Sequence, residues 1–192
     1  MKNKDRILAP DLHAAATFLN LLDRQGVFTF QTIDDNKDRH DGRLSRVLHG
    51  TLTEHATNLA IRNAGGAGIF VMVNEGNGVA LEGNKTCRTN KNVVRVRSIF
   101  VDLDGAPLDP VISLPEQPSV VVESSPGRWH AYWHGVPCPL ADFAEAQTSL
   151  ATQFGGDHSV KDLARVMRLP GFWHQKGEPY LTRIVNVAEE FA

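Results

Sequence analysis

Arg95-Val96-Arg97-Ser98-Ile99-Phe100-Val101-Asp102-Leu103-Asp104, followed at once by Gly105, is the stretch around which the rest of the chain is read. Its β-branched and apolar residues predict a buried strand ending in two carboxylates one residue apart. Side chains alternate along a strand, so Asp102 and Asp104 point to the same face. Two carboxylates there repel each other and lose solvation, so a positive group is expected between them. Carboxylate oxygens suit hard divalent cations such as Mg²⁺ or Mn²⁺, which in turn bind phosphate oxygens. A strand end whose two aspartates face water and cap the next turn is the competing reading of the same residues.

Upstream of the aspartates lies a basic run, Lys85, Arg88, Lys91, Arg95 and Arg97, with no acidic residue between its ends. It reads either as a track for a nucleic-acid backbone or as a solvated loop. A net charge of -2 and a pI near 6.4 exclude a globally basic nucleic-acid coat, so local patches alone could attract DNA. The 192 residues, 42% of them hydrophobic, suit one folded domain. Two cysteines, Cys87 and Cys138, are too few for a disulfide framework or a cysteine-rich zinc site. Nothing in the opening residues predicts a signal peptide or a membrane span, so a cytoplasmic protein is expected.

Outward from the centre, Asp11 caps a helix whose apolar stripe is Leu12, Ala15, Ala16, Leu19 and Leu22, ending by Gly26. Val27 to Ile33 alternates as a strand, and the polar stretch Asp34 to Arg43 reads as an exposed loop. Thr51 and Glu54 have capping-box spacing, predicting a helix to Gly65-Gly66, followed by a strand over Gly68 to Asn74. Beyond the aspartates, Ser119 to Ser124 and Trp129 to His134 form a hairpin around Ser125-Pro126-Gly127-Arg128. A helix runs from Pro139 or Leu140 to Phe154, buried through Phe143, Ala144, Leu150, Ala151 and Phe154. A short helical stretch is expected at Lys161 to Met167 and a last strand at Tyr180 to Val187. Together these make an α+β fold in two halves, dividing near Val94, the second a mixed sheet with helices.

Two further clusters suit phosphate chemistry. In the hairpin, His130, Tyr132 and His134 share a face, and the turn offers backbone N–H groups and the Arg128 guanidinium. His130, nearer the turn, is the better candidate for a nucleotide contact, although strand histidines are commonly just packed and hydrogen-bonded. After the Gly155-Gly156 break come Asp157 and a cationic set, Arg165, Arg168, His174 and Lys176, suited to a triphosphate tail.

Four segments in order resemble the signature of the archaeo-eukaryotic primase superfamily: Phe100 to Gly105, Ser124 to His130, Gly156 to Val160 and Arg165 to Lys176. The nearest variety is the RepB-like primase or primase-polymerase of plasmids and phages. The resemblance implies a two-part fold over residues 1–192, with an N-terminal αβ unit (1–94) packed on an RRM-like mixed-sheet catalytic unit (95–192). It implies Asp102, Asp104 and Asp157 as ligands of two Mg²⁺ or Mn²⁺ ions, with Asp162 a competing third ligand. It implies His130 as the nucleotide contact, and Arg168, His174 and Lys176, joined by Arg128, as triphosphate contacts. Template-directed nucleotidyl transfer follows, with single-stranded DNA, NTP or dNTP, and a replicative helicase in cis or in trans as partners. Two other readings compete. Phe100 to Gly105 also resembles the nucleophile motif of haloacid-dehalogenase-like phosphatases, but Ala106 replaces their threonine and Asp157 follows a helix. A non-catalytic DNA-binding replication initiator would have no use for three carboxylates beside a cationic pocket.

Overall fold

A computed structural model describes residues 8–83 and 86–188. In chain order the elements are α1 (Leu12–Leu22), β1 (Phe28–Asp34), β2 (Arg46–Gly50), α2 (Leu52–Ala64), β3 (Ala67–Met72), β4 (Glu75–Gly76), β5 (Val93–Arg95) and β6 (Ser98–Leu103). Then follow α3 (Asp109–Ile112), β7 (Val120–Ser125), β8 (Arg128–His134), α4 (Phe143–Phe154), β9 (Val166–Arg168), β10 (Trp173–His174), β11 (Tyr180–Leu181) and β12 (Arg183–Val187). Two four-stranded sheets, ordered β2-β1-β3-β9 and β12-β7-β8-β6, carry the α+β architecture, and β4-β5 and β10-β11 are two-stranded ribbons. Every ladder in both large sheets is antiparallel, where a mixed second sheet was expected. The physical reason is that the hairpin joining β7 to β8 needs no crossover helix, which a parallel pair would require.

Local chemistry accounts for the elements. The Asp11 carboxylate accepts the Ala14 N–H at 3.0 Å, and α1 buries Ala15, Phe18, Leu19 and Leu22. Phe18 takes the place in the stripe expected for Leu12, which is 39% exposed. At α2 the predicted capping box forms, with Thr51 and Glu54 satisfying each other's backbone N–H groups. Helix α4 begins at Phe143 and buries Gln147, not Ala144. The Gln147 amide accepts the Phe100 N–H at 3.0 Å and donates to the Val160 carbonyl at 3.1 Å, which ties the helix to β6.

Three expected elements are divided or replaced. The ten-residue central strand breaks at Val96 and Arg97: β5 pairs with β4, and β6 enters the second sheet. The cause is Arg97, whose side chain turns inward to lie 4.7 Å over the Phe28 ring and donates to Asp23 and the Val27 carbonyl. The stretch expected as helical at Lys161 to Met167 is a turn followed by β9, whose Arg168, Met167 and Val166 pair with Phe70, Val71 and Met72 of β3. Met167 joins the core there, and Arg168 finds a buried carboxylate. The last strand splits at Thr182, whose hydroxyl bonds the Leu169 and Phe172 carbonyls, so that β11 joins β10 and β12 joins β7.

One main core joins both sheets, with Phe18, Phe30, Leu59, Ile69, Phe100, Tyr132, Phe143 and Phe172 all at or below 1% exposure. At about 1.5–3 kcal/mol for each large apolar side chain, this cluster dominates what holds the sheets together. On the second sheet Phe100 and Tyr132 are cross-strand partners facing that core. Two residues further along each strand, the same face carries Asp102 opposite His130. The core thus places the first predicted carboxylate and the predicted histidine side by side at the sheet's end.

Candidate active site

A cleft of about 180 Å³ opens where the ends of the two sheets meet, and Asp102, Asp104, Arg128, His130, Arg168, His174 and Lys176 all line it. Seven residues expected from the sequence to act together therefore share one space. His130 is 5% exposed, and its Nε2 lies 3.7 Å from Asp102 Oδ1, beyond hydrogen-bond length. Burial first, then the charges of Arg168 and His174, hold His130 down to about 3, so the ring is neutral. Asp102 is pushed up to about 6, first by burial and then by the neighbouring charges of Asp104 and Asp157, with Arg165 and Arg128 opposing. Asp104, at the exposed strand end, pairs with Arg128. Arg128 follows Gly127, whose φ of 70° makes the tight turn that brings the guanidinium over the carboxylate.

Asp157 lies beside the pair. Its backbone N–H donates to the Asp102 carbonyl at 2.9 Å, an approach that requires Gly156, where a Cβ would meet Val101 at 2.5 Å and the Asp102 carbonyl oxygen at 2.9 Å. The Asp157 carboxylate accepts the Ser159 N–H and hydroxyl, both at 2.8 Å, and these bonds hold it below the ordinary carboxylate range. Asp162 instead pairs with Arg165 at 2.6 Å, whereas Asp157 is bonded through its backbone to Asp102. Of the two candidates, Asp157 is therefore the neighbour of the pair. Among the described residues no three His, Cys, Asp or Glu side chains close on one point. The donor set still fits a hard divalent cation: two oxygen ligands on one strand face, a third carboxylate adjacent, and an Asp102 whose charge lacks a full counter-charge.

The opposite wall is cationic. The two terminal nitrogens of Arg168 donate to Asp35 at 3.1 and 2.8 Å, both side chains are buried, and the guanidinium stacks 4.7 Å from the Phe70 ring. This corrects one expectation: Asp35, in the stretch read as exposed loop, is 1% exposed, and it holds the Arg168 guanidinium at the edge of the cleft. The second oxygen of Asp35 also accepts the Gln175 N–H at 2.8 Å, fixing the turn that carries His174 and Lys176. Asn63 fastens the same segment through the Trp173 N–H and carbonyl. Its role had no sequence signal, because a lone Asn inside an amphipathic helix looks like surface. His174 Nδ1 lies 3.1 Å from the Ser124 carbonyl, while its buried Nε2 has no hydrogen-bond partner. Burial, then Arg168, hold Lys176 below the ordinary lysine range.

The basic run is dispersed. Lys85 lies outside the described residues. Lys91 is exposed, and Arg88 donates to the Ala164 carbonyl at 3.1 Å. Arg95 is held by both Asp23 and Glu75 at 2.6 Å, and Arg97 is 3% exposed. Arg97 is thus a buried structural cation and not part of a DNA-facing patch, because acidic partners from elsewhere in the chain meet it after folding.

No curated protein matches the chain. Three solved structures share its fold. The primase-polymerase AEP domain of cyanophage S-2L is 22% identical, with a TM-score of 0.72 over 94% of this chain and 92% of that one. The catalytic domain of primase RepB′, solved in complex with initiator DNA, is 17% identical, with a TM-score of 0.63 over 92% of this chain and 84% of that one. A second structure of primase RepB′ is 17% identical, with a TM-score of 0.66 over 92% of this chain and 56% of that one. Residues 38–188 match the model of the RepB DNA-primase N-terminal domain. That match spans most of the chain and, with the antiparallel sheets, rules out the phosphatase reading: the chain belongs to the RepB primase family and is a nucleotidyltransferase of the DNA primase or primase-polymerase kind.

Proposed function

We propose that the cleft between Asp102 and Lys176 is where this primase joins nucleotides on a single-stranded DNA template. The observation supporting this reading is the opposition of an acidic wall and a cationic wall across one small cleft, both carried by the ends of sheets that share a core. Asp102 and Asp104, with Asp157 beside them, would hold two divalent ions, Mg²⁺ or Mn²⁺. When bound, these would supply activation of the primer 3′-hydroxyl and charge neutralisation at the displaced pyrophosphate.

The chain's own residues then have separable tasks. Lys176 and His174 line the cleft and would receive the triphosphate, one as a charge and the other through the ring nitrogen, Nε2, that has no partner among the described residues. Arg168 would add positive potential from behind them, its direction fixed by Asp35. Arg128 would exchange Asp104 for phosphate as ligands enter, since an exposed ion pair is weak and easily replaced. His130, neutral and buried, would contact the nucleotide as a hydrogen-bonding group and not as a cation.

We read residues 1–192 as one catalytic unit whose N-terminal part (1–94) supports the RRM-like part (95–192). A replicative helicase, in cis or in trans, would supply unwound template. Lys91, with Arg88 behind it, would be the template contact. The test is incorporation of labelled nucleotide on a single-stranded template with Mg²⁺ or Mn²⁺. Template-dependent products lost in Asp104→Ala support the assignment, and undiminished synthesis by that variant would reject it.

A further inference from the structure

We infer that Tyr132 is a positioning residue that fixes which ring nitrogen of His130 carries its proton, and so what His130 offers to the nucleotide. Tyr132 is fully buried, its ring edge-on to Phe18 at 5.2 Å and tilted against Phe100 at 5.7 Å. Its hydroxyl lies 3.3 Å from His130 Nδ1, and the described residues give that hydroxyl no other partner. His130 Nε2, on the other side of the ring, faces Asp102 and the cleft.

Only one tautomer satisfies both ends. If Nδ1 carried the proton, the Tyr132 hydroxyl hydrogen would be buried without an acceptor, and the Nε2 lone pair would face the Asp102 carboxylate. If Nε2 carries it, the Tyr132 hydroxyl donates to Nδ1, and an N–H points toward Asp102 and the cleft. Burial and the Asp102 charge keep the Tyr132 phenol protonated, so the donor persists across the working pH range. His130 therefore presents a hydrogen-bond donor, suited to a phosphate or sugar oxygen, without bearing a positive charge. Two residues of one strand, β8, spaced i and i+2 on the same sheet face, accomplish this, and the hydroxyl is the one polar atom that Tyr132 brings into the core.

The inference rests on the proposed role of the cleft for its kinetic consequence, but not for its direct test. Long-range ¹H–¹⁵N correlation on protein labelled at histidine reads the tautomer of His130 without substrate. The wild type should show Nδ1 unprotonated and Nε2 protonated. Tyr132→Phe keeps the packed ring and should shift His130 to a mixture of both forms. Losing one oriented hydrogen bond should raise the nucleotide KM about 3–10-fold, with kcat and template affinity little changed. In a His130→Ala background the same substitution should add nothing, because Tyr132 acts only through that ring. A wild-type ring protonated on Nδ1 overturns the inference whether or not the variant folds. An unshifted tautomer and unchanged KM in a folded Tyr132→Phe variant overturn it too. If the wild type incorporates no nucleotide while the tautomer is as expected, the proposed function fails and this inference stands.

Discussion

Replacing Asp35 with Asn removes one charge from a site built on two. The carboxylate meets both terminal nitrogens of Arg168 and one backbone N–H, at 2.8–3.1 Å, with 2% and 8% side-chain exposure on the two partners. The amide keeps the volume and an oxygen for the Gln175 N–H, so the loss isolates the ion pair. Removing one partner of a buried pair costs about 3–5 kcal/mol, since the other charge stays buried and unpaired. For a chain of this size that corresponds to a fall in Tm of about 6–20 °C. Thermal and urea unfolding followed by circular dichroism measure it. Adding Arg168→Met, which removes the stranded charge and packs on Phe70, should restore most of the loss. A single variant within about 1 kcal/mol of wild type, or a double variant less stable than Asp35→Asn, would refute the claim that this pair joins the first sheet to the cleft.

Asp104→Ala should abolish primer synthesis yet leave Tm nearly unchanged, because the ion pair it breaks is exposed and worth at most about 1 kcal/mol; a matching loss of fold would contradict this. Asp102→Asn should inactivate the enzyme and stabilise the metal-free protein. The folded pKa of Asp102, about 6, lies above the unfolded value, so the native state holds the proton more tightly, and the cost of ionisation is absent below pH ~4 and complete, at about 3 kcal/mol, above pH ~6. Melting curves of both proteins across that range should diverge as pH rises, and a gap independent of pH would count against it. Lys176→Ala should raise the nucleotide KM about tenfold or more without weakening template binding, as steady-state kinetics and fluorescence anisotropy will show. Lys91→Ala should weaken single-stranded DNA binding and reduce its logarithmic salt slope by about one, whereas Arg97→Ala should lower Tm, because that cation is buried against Asp23 and Phe28.

Much of the cleft was legible because its residues obey local rules. Asp102 and Asp104 declare themselves by strand parity, and the hairpin by its Pro-Gly turn; the capping box marks α2 with two residues. What the chain does over long separations left no such trace. Asp35 sits in a stretch of polar residues that locally says loop, and its burial is decided by Arg168, 133 residues away. Arg97 reads as one more basic residue of a patch until Asp23 and Phe28 are brought to it. The break in the central strand follows from the same inward turn, which no alternation of side chains within Arg95 to Asp104 betrays. Gln147 was passed over for Ala144 because polarity alone does not reveal a buried backbone N–H and carbonyl in need of partners.

The pairing of β9 with the far edge of β3 also sets a timetable for synthesis. Phe70 is polymerised long before its partner Arg168 exists, and at 5–20 residues per second the interval is roughly 5–20 s. Throughout that time the nascent chain carries β3 with one side unclaimed, a row of amide hydrogens and carbonyls open to any other extended peptide on the polysome. Asp35 waits longer still for its counter-charge, which lies 133 residues further along the chain. A ribosome that pauses between codons 72 and 166 prolongs this exposure, so the yield of soluble primase should depend on translation speed in that window and on holdase chaperones acting there.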